Sequence, residues 1–403
     1  MKRILIYLLA SILLISIMVV VAIYVPNTLP VGSDFSAIYY ADLALVNGVH
    51  VYDIPSMEAL ARSTINPPND RFFMPRFPYP PWYVISTFYL GLMSIRSAGA
   101  LWFEINLVML FLSVWFLTDG WNGRLRLIAF PLSLFFLPVL GALSVGQYGF
   151  PVLLGTSLLT YSLRKENVAL TTLGAAMLTF KPHIGALILL SVLGWLIVSR
   201  SEPALSLTEG FGRSAMRSIV VAGVGLSIIS LIADPLWFIN YPKMLLGYQG
   251  EGNVSSCSEC SSIPVWTSRW LFDGSLKQAA IIAIILFIIL MVLFWLIRGS
   301  LLRSPELLVT SSLLVTLLVS PYLYNYDFIL LLVPFAVLAN SSGIIPKIIV
   351  ILDYLFPTIA IILYSRNGNI TLNIVTIIIA AFLYLRARSQ VDFPAPASYN
   401  GNN

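Results

Sequence analysis

The residues of this 403-residue chain that could do chemistry are a carboxylate, a few cations and a set of aromatic and amide groups near apolar segment ends. Asp34 follows a first apolar run, Ile4 to Tyr24, and the helix breakers Pro26 and Pro30, so it stands where a lipid–water boundary falls. A carboxylate there can serve as a general base, taking the proton of an acceptor hydroxyl whose oxygen attacks a lipid-linked donor. It can equally be a helix cap, a role Ser33 is able to fill in its place. A helix is expected over 34–47, lying on the membrane surface, and Asp42 projects from roughly the same side of it as Asp34. Asp42 reads as a solvated face or a secondary ligand, and Asp53, in Tyr-Asp-Ile-Pro, as a turn residue.

Lys181 ends an apolar segment just before Pro182-His183. It either snorkels to the interface or holds a lipid phosphate and stabilises the charge of a leaving group. Arg71 and Arg76 compete for that role, because guanidinium pairs well with phosphate oxygens. Gln147, between Gly146 and Gly149, suits hydrogen bonding to sugar hydroxyls or a plain polar turn. Tyr324, Asn325, Tyr326 and Asp327 open a late apolar span. They fit sugar stacking and bonding as well as an interfacial belt, and an ionisable group at such a helix mouth is a functional candidate. Cys257 and Cys260 are too few for a metal site, which needs three or four ligands, and His50 and His183 lie far from them. A local disulfide in an outer loop is the simpler reading and a redox pair the other; no metal or cofactor is expected.

The elements that must hold these groups are apolar helices. Hydrophobic residues make up 58% and charged residues 10% of the chain, and the mean hydropathy is +0.89. A soluble domain carries roughly 25% charged residues, so the fold class is all-α and polytopic, an integral membrane protein. Its apolar runs, mostly about 15–22 residues, suit a hydrocarbon core of about 30 Å. In lipid such runs must be helices, because backbone groups must bond internally. No basic block with interleaved aromatics appears, which excludes nucleic acid as a partner.

About thirteen apolar segments are expected. Basic residues at Lys2/Arg3, Arg124/Arg126, Arg164/Lys165, Arg200/Arg213/Arg217, Arg298/Arg303, Lys347 and Arg386/Arg388 set one side as cytoplasmic. Both termini are then cytoplasmic and the number of crossings even, giving about twelve in a multi-pass protein of the cell membrane. The stretch 82–95 is short and follows Pro80-Pro81, so it reads as interfacial or re-entrant. The expected organisation is a first transmembrane helix (1–25), an outer loop with Asp34 and interfacial helices (26–81), a bundle (82–386) with an outer loop at 234–275, and a cytoplasmic tail (387–403). All the chemical candidates then gather on the extracytoplasmic side.

Gly32-Ser33-Asp34-Phe35 with Tyr39-Tyr40, Gly48 and Tyr52-Asp53 resembles the start of glycosyltransferase family 87, polytopic enzymes of the GT-C class. So do Tyr79-Pro80-Pro81, Gly146-Gln147, Lys181-Pro182 and Ser320-Pro321 leading to Tyr326-Asp327, in family order over roughly 33–334. The resemblance implies a GT-C helical bundle that moves a hexose, typically mannose, from a polyprenyl-phosphate donor to a lipid or glycan acceptor with inversion. It makes Asp34 the base, and Tyr79 joins the substrate-binding candidates. It also implies no metal, since enzymes of this class using lipid-phosphate donors often need none. Actinobacterial mannosyltransferases of the family tend to carry His where Tyr326-Asp327 stand, which bears on sugar and acceptor. The competing class is a secondary transporter or flippase for a lipid-linked sugar. It is disfavoured because no internal repeat is visible and the ionisable residues cluster at one rim instead of mid-membrane. A surface-polysaccharide polymerase or ligase would concentrate its residues in a large late loop, and 234–275 is modest.

Overall fold

The computed structural model describes residues 33–65, 77–198, 210–250, 262–272, 276–321, 323–364 and 368–390. The first apolar run, Arg71, Arg76, Cys257, Cys260 and the tail from residue 391 lie outside the described residues. The described elements are helical. In order they begin with α1 (Ser33–Val46), α2 (Ile54–Ile65), α3 (Pro81–Thr87), a 3-10 turn (Phe88–Leu92), α4 (Ile95–Leu117), α5 (Gly123–Leu134) and α6 (Leu137–Val145). Next come α7 (Gly149–Arg164), α8 (Val168–Leu178), α9 (Pro182–Val198), α10 (Phe211–Ile229), a 3-10 turn (Ser230–Ile232), α11 (Trp237–Gly250) and α12 (Ile263–Leu271). The chain continues through α13 (Leu276–Leu296), α14 (Arg298–Arg303), α15 (Pro305–Val319), a 3-10 turn (Asn325–Leu331), α16 (Leu332–Ala339), α17 (Ile345–Tyr364) and α18 (Gly368–Gln390).

The helix expected at 34–47 forms as α1, and Asp53 caps the next one: its carboxylate accepts from Ser56 N–H (3.4 Å) and Ser56 Oγ (2.6 Å). The stretch after Pro80-Pro81 folds as α3 and a 3-10 turn, together about 20 Å long. That is shorter than a bilayer core of about 30 Å.

The bundle is apolar inside and outside. Every residue of α7 except Tyr161 and Arg164 is buried, which makes α7 the central helix. Its Thr156 and Thr160 satisfy their hydroxyls on backbone oxygens one turn back, each at 2.8 Å, as a water-free interior demands. α7 and α8 touch backbone to backbone at Gly155 and Gly174, where a Cβ on either would stand 2.8 Å from the other's carbonyl oxygen. Small residues permit such close helix contact. The outer faces are equally greasy: Val220, Val221, Val224 and Ile228 of α10, and Ile281, Ile284, Ile285 and Ile288 of α13, are exposed. A water-soluble protein could not leave such surfaces bare; this is a membrane protein.

By length and apolarity, three helices among the described residues can cross a membrane: Ile95–Leu117, Phe211–Ile232 and Lys277–Leu296. A fourth arises if α5 and α6, bent by 56° at their junction, form one span. Pro131 inside α5 and Pro138 at the start of α6 account for the break. The expected count of about twelve is therefore not reached on these criteria, because several apolar helices, such as α8, α9 and α15, fall short of a full span in length.

Two charged clusters lie toward opposite ends of the bundle. At one end Arg164 of α7 pairs with Asp119 (2.9 Å) after α4 and with Glu306 (2.6 Å) in the first turn of α15, and Lys165 reaches Asp119 (3.2 Å). Arg126 lies there too, over the ring of Trp115 at 3.5 Å. The opposite ends of α4, α7 and α15 meet at the groups singled out in the sequence.

Candidate active site

Asp34 sits in the first turn of α1, half-buried. Its position inside the helix, one residue past the start, leaves its carboxylate free to reach across the fold. Gln147 Nε2 donates to Asp34 Oδ2 at 2.6 Å, and the Gln147 amide oxygen accepts from Tyr148 N–H at 2.6 Å. The Gln147 side chain, from a distant part of the chain, thus holds the Asp34 carboxylate.

Gln147 reaches Asp34 because of Gly146. This glycine ends α6 in the left-handed conformation (φ 67°), and a Cβ there would stand 2.6 Å from Phe35 Cβ. Only glycine lets the α6 terminus turn and α1 press against it. Trp102 of α4 locks the corner by donating Nε1–H to the Gly146 carbonyl at 3.0 Å.

The cation lies beside this corner. Lys181 precedes α9, is 3% exposed, and pairs through Nζ with Asp327 Oδ1, itself 1% exposed. Asp327 Oδ2 accepts from Tyr324 N–H at 3.0 Å. Tyr324 and Tyr326 stack at 5.1 Å, 16° from parallel, and Lys181 Nζ lies 5.5 Å from the centre of the Tyr326 ring. Lys181 is therefore not a snorkelling interfacial lysine; it is buried in an ion pair, an arrangement that survives only with its partner in place.

An aromatic wall closes the site from below. Tyr79 stacks on Tyr148 (3.9 Å), Tyr83 lies 4.9 Å from Tyr148 and from Phe180, and Tyr52 donates its hydroxyl to the Tyr79 carbonyl at 2.7 Å. Trp82 bonds Thr179 Oγ1 (3.0 Å) and meets Trp237 edge to face at 5.6 Å, so the start of the 234–275 segment borders the site. Asp234 there is buried and accepts from Leu236 N–H and Asn240 Nδ2, each at 2.8 Å.

The structure brings together Asp34, Tyr79, Gln147, Lys181, Tyr324, Tyr326 and Asp327, with Asn325 on the same turn. Asp42 parts from them. Asp42 stands about 12 Å along α1 from Asp34 and is 0% exposed, accepting from Thr87 Oγ1 at 2.9 Å. The solvated-face reading is corrected: this carboxylate is turned inward onto α3, and burial pushes its pKa well above the ordinary range, with the Thr87 bond opposing. His183 lies on the first turn of α9, two residues after Lys181 and within reach of its charge, with part of its surface exposed. Sequence reasoning missed Trp102, Tyr83 and Tyr148. Tyr148 stood inside the quoted Gly-Gln-Tyr-Gly run; nothing about Trp102 or Tyr83 marks them before the helices are assembled. Among the described residues, no three His, Cys, Asp or Glu side chains gather as a metal site would require.

A carboxylate bonded by the Gln147 amide, with a buried lysine–carboxylate pair nearby, marks this corner as the candidate site. The sequence matches glycosyltransferase family 87 over residues 77–321, more than half of the chain. The chain belongs to glycosyltransferase family 87. It is accordingly a membrane glycosyltransferase, acting on a sugar donor and an acceptor. No curated protein and no solved structure matches the chain. Asp34 precedes the family match by 43 residues and Asp327 follows it by six, yet their carboxylates bond Gln147 and Lys181 within it.

Proposed function

We propose that this family 87 enzyme transfers a hexose, with mannose the first candidate, from a polyprenyl-phosphate donor to a lipid or glycan acceptor. The reaction inverts the anomeric carbon. Asp34 takes the acceptor's hydroxyl proton as that oxygen attacks, and the bond from the anomeric carbon to the phosphate oxygen breaks. The departing phosphate needs no acid, only a cation, which Lys181 supplies. The observation that supports this reading is the Gln147 bond onto Asp34 at one corner, with the Lys181–Asp327 pair and the Tyr326 ring as a second cluster.

The site end faces the extracytoplasmic side, and the termini lie in the cytoplasm. The support is electrostatic: Arg126, Arg164 and Lys165 collect at the far end of the bundle, where a positive-inside bias puts the cytoplasm. The first loop, with α1 and α2, lies at the membrane surface, and about twelve crossings in the cell membrane remain the proposed topology. Membrane lipid against the exposed faces of α10 and α13 solvates the polyprenyl chain.

The test is sugar transfer by the purified protein in liposomes from labelled polyprenyl-phosphate-mannose to a host lipid extract, with Asp34→Asn alongside. Product from the wild type and a fall of about 10²–10⁴-fold in the variant are expected. Equal activity in the two proteins would remove Asp34 from the mechanism. A wild type active only with another lipid-linked sugar would correct the donor and leave the base in place.

A further inference from the structure

Two short helices, α11 and α12, stand between the spans Phe211–Ile232 and Lys277–Leu296. Each has an inner and an outer face. In α11, Trp237, Tyr241 and Met244 recur at helical spacing and turn inward. Trp237 meets Trp82 edge to face at 5.6 Å, Tyr241 lies 5.8 Å from Tyr52, and Met244 is buried. Leu236, just ahead of the helix, and Phe238 and Ile239 within it are exposed. In α12, Pro264, Val265 and Ser268 are buried. Val265 packs in one small cluster with Ala279 of α13 and Tyr324 of the site. Trp270, Leu271 and Phe272 at the end of α12 are exposed, Trp270 by 76%, and the Trp266 and Trp270 rings lie 5.1 Å apart.

These outer faces carry on from lipid-facing strips. Exposed Leu231 and Ile232 continue the bare face of α10 up to Leu236. Trp270, Leu271 and Phe272 stand just before α13, whose Ile281, Ile284, Ile285 and Ile288 face outward. The end of one span and the start of another fix the depth, because both lie at the edge of the hydrocarbon core. Tryptophan collects at that boundary. A helix with an apolar, aromatic outer face lies in the plane of the boundary, its apolar side chains among the upper acyl chains. Lys243 and Lys277, exposed beside these side chains, have stems long enough to lift their ammonium groups to the head groups.

We propose that α11 and α12 form one membrane-docking surface, with Phe238, Ile239, Trp270, Leu271 and Phe272 seated in the headgroup–acyl boundary of the leaflet beside the site. The occupant is the lipid surface itself. α11 ties that leaflet to the aromatic wall, because Tyr241 packs on Tyr52, which bonds the Tyr79 carbonyl. α12 ties it to the Tyr324–Tyr326 stack through Val265. A substrate carried on a lipid then meets the site without leaving the bilayer.

Fluorescence quenching of the full-length protein in liposomes is the test. Trp270→Phe, at an exposed position, isolates the Trp270 signal by difference from the wild type, and Phe238→Trp adds a reporter on α11. The quenchers are phosphatidylcholine brominated high on its acyl chains and, in the water, iodide. The expected result is loss of both signals in the brominated lipid and little loss with iodide. Strong quenching by iodide and none by the brominated lipid overturns the proposal. A soluble oligosaccharide that then shields Trp270 from iodide would assign this face to a glycan instead. Protection from both quenchers also overturns it and points to a second copy of the chain over this face. None of these outcomes depends on which sugar donor the enzyme uses.

Discussion

Removing the charge of Lys181 alone, of Asp327 alone and of both together separates the stability of this ion pair from its chemistry. Lys181 is 3% and Asp327 1% exposed. In Lys181→Met the Asp327 carboxylate keeps a single donor in the described structure, Tyr324 N–H at 3.0 Å. Leaving one member of a buried pair uncompensated costs about 3–5 kcal/mol. Asp327→Asn has the same effect from the other side, stranding a buried ammonium. The double variant Lys181→Met/Asp327→Asn strands no charge and leaves one amide short of a partner, a cost of about 1–3 kcal/mol. The cycle therefore predicts a favourable coupling of at least about 3 kcal/mol, with the double variant more stable than either single one. Thermal unfolding in detergent at a fixed scan rate reads the order, because membrane proteins commonly unfold irreversibly and apparent midpoints depend on rate. Sugar transfer is measured on the same samples. If Lys181 receives the departing phosphate, the double variant regains stability and stays inactive. A double variant no more stable than the single ones would refute the buried-pair argument. One that regains activity along with stability would reduce Lys181 to packing.

Two further substitutions probe how the corner is built. Gly146→Ala forces an L-residue into φ 67° and drives its Cβ to 2.6 Å from Phe35. The backbone strain alone is about 1–2 kcal/mol, and the push on α1 carries Asp34 off Gln147, so both the unfolding midpoint and the transfer rate should fall; an active, equally stable variant would contradict the close approach. Asp42→Asn tests the inward carboxylate. Its folded pKa is raised by burial, so as pH climbs past about 4 the unfolded chain loses this proton first and wild-type stability declines. The Asn variant lacks that slope, so its midpoint relative to wild type should rise between about pH 4.5 and pH 7.5. A variant that loses stability relative to wild type over that range would mean Asp42 is ionised in the folded protein.

The class of this protein was readable from composition, because lipid imposes one rule on every spanning segment: satisfy the backbone internally and present apolar side chains. The helix at Asp34 and the local role of Asp53 beside a helix start were readable too, since spacing and capping act within a few residues. The list of candidate polar groups followed from the same logic, as a Lys, Asp or Gln at the edge of an apolar run is conspicuous. What these groups do to one another was not readable. Asp34 and Gln147 are separated by more than a hundred residues, as are Lys181 and Asp327, and only the meeting of the α4, α7 and α15 ends brings them into contact. Spacing put Asp42 on roughly Asp34's side of one helix, but packing against α3 buried one carboxylate with Thr87 and left the other at the corner. Lys181 read equally as an interfacial lysine or a phosphate ligand until its partner on a distant turn was in view. Local sequence chooses helix, turn and depth in the membrane; burial and pairing are properties of the assembled bundle, because they depend on which distant surfaces exclude water from each charge.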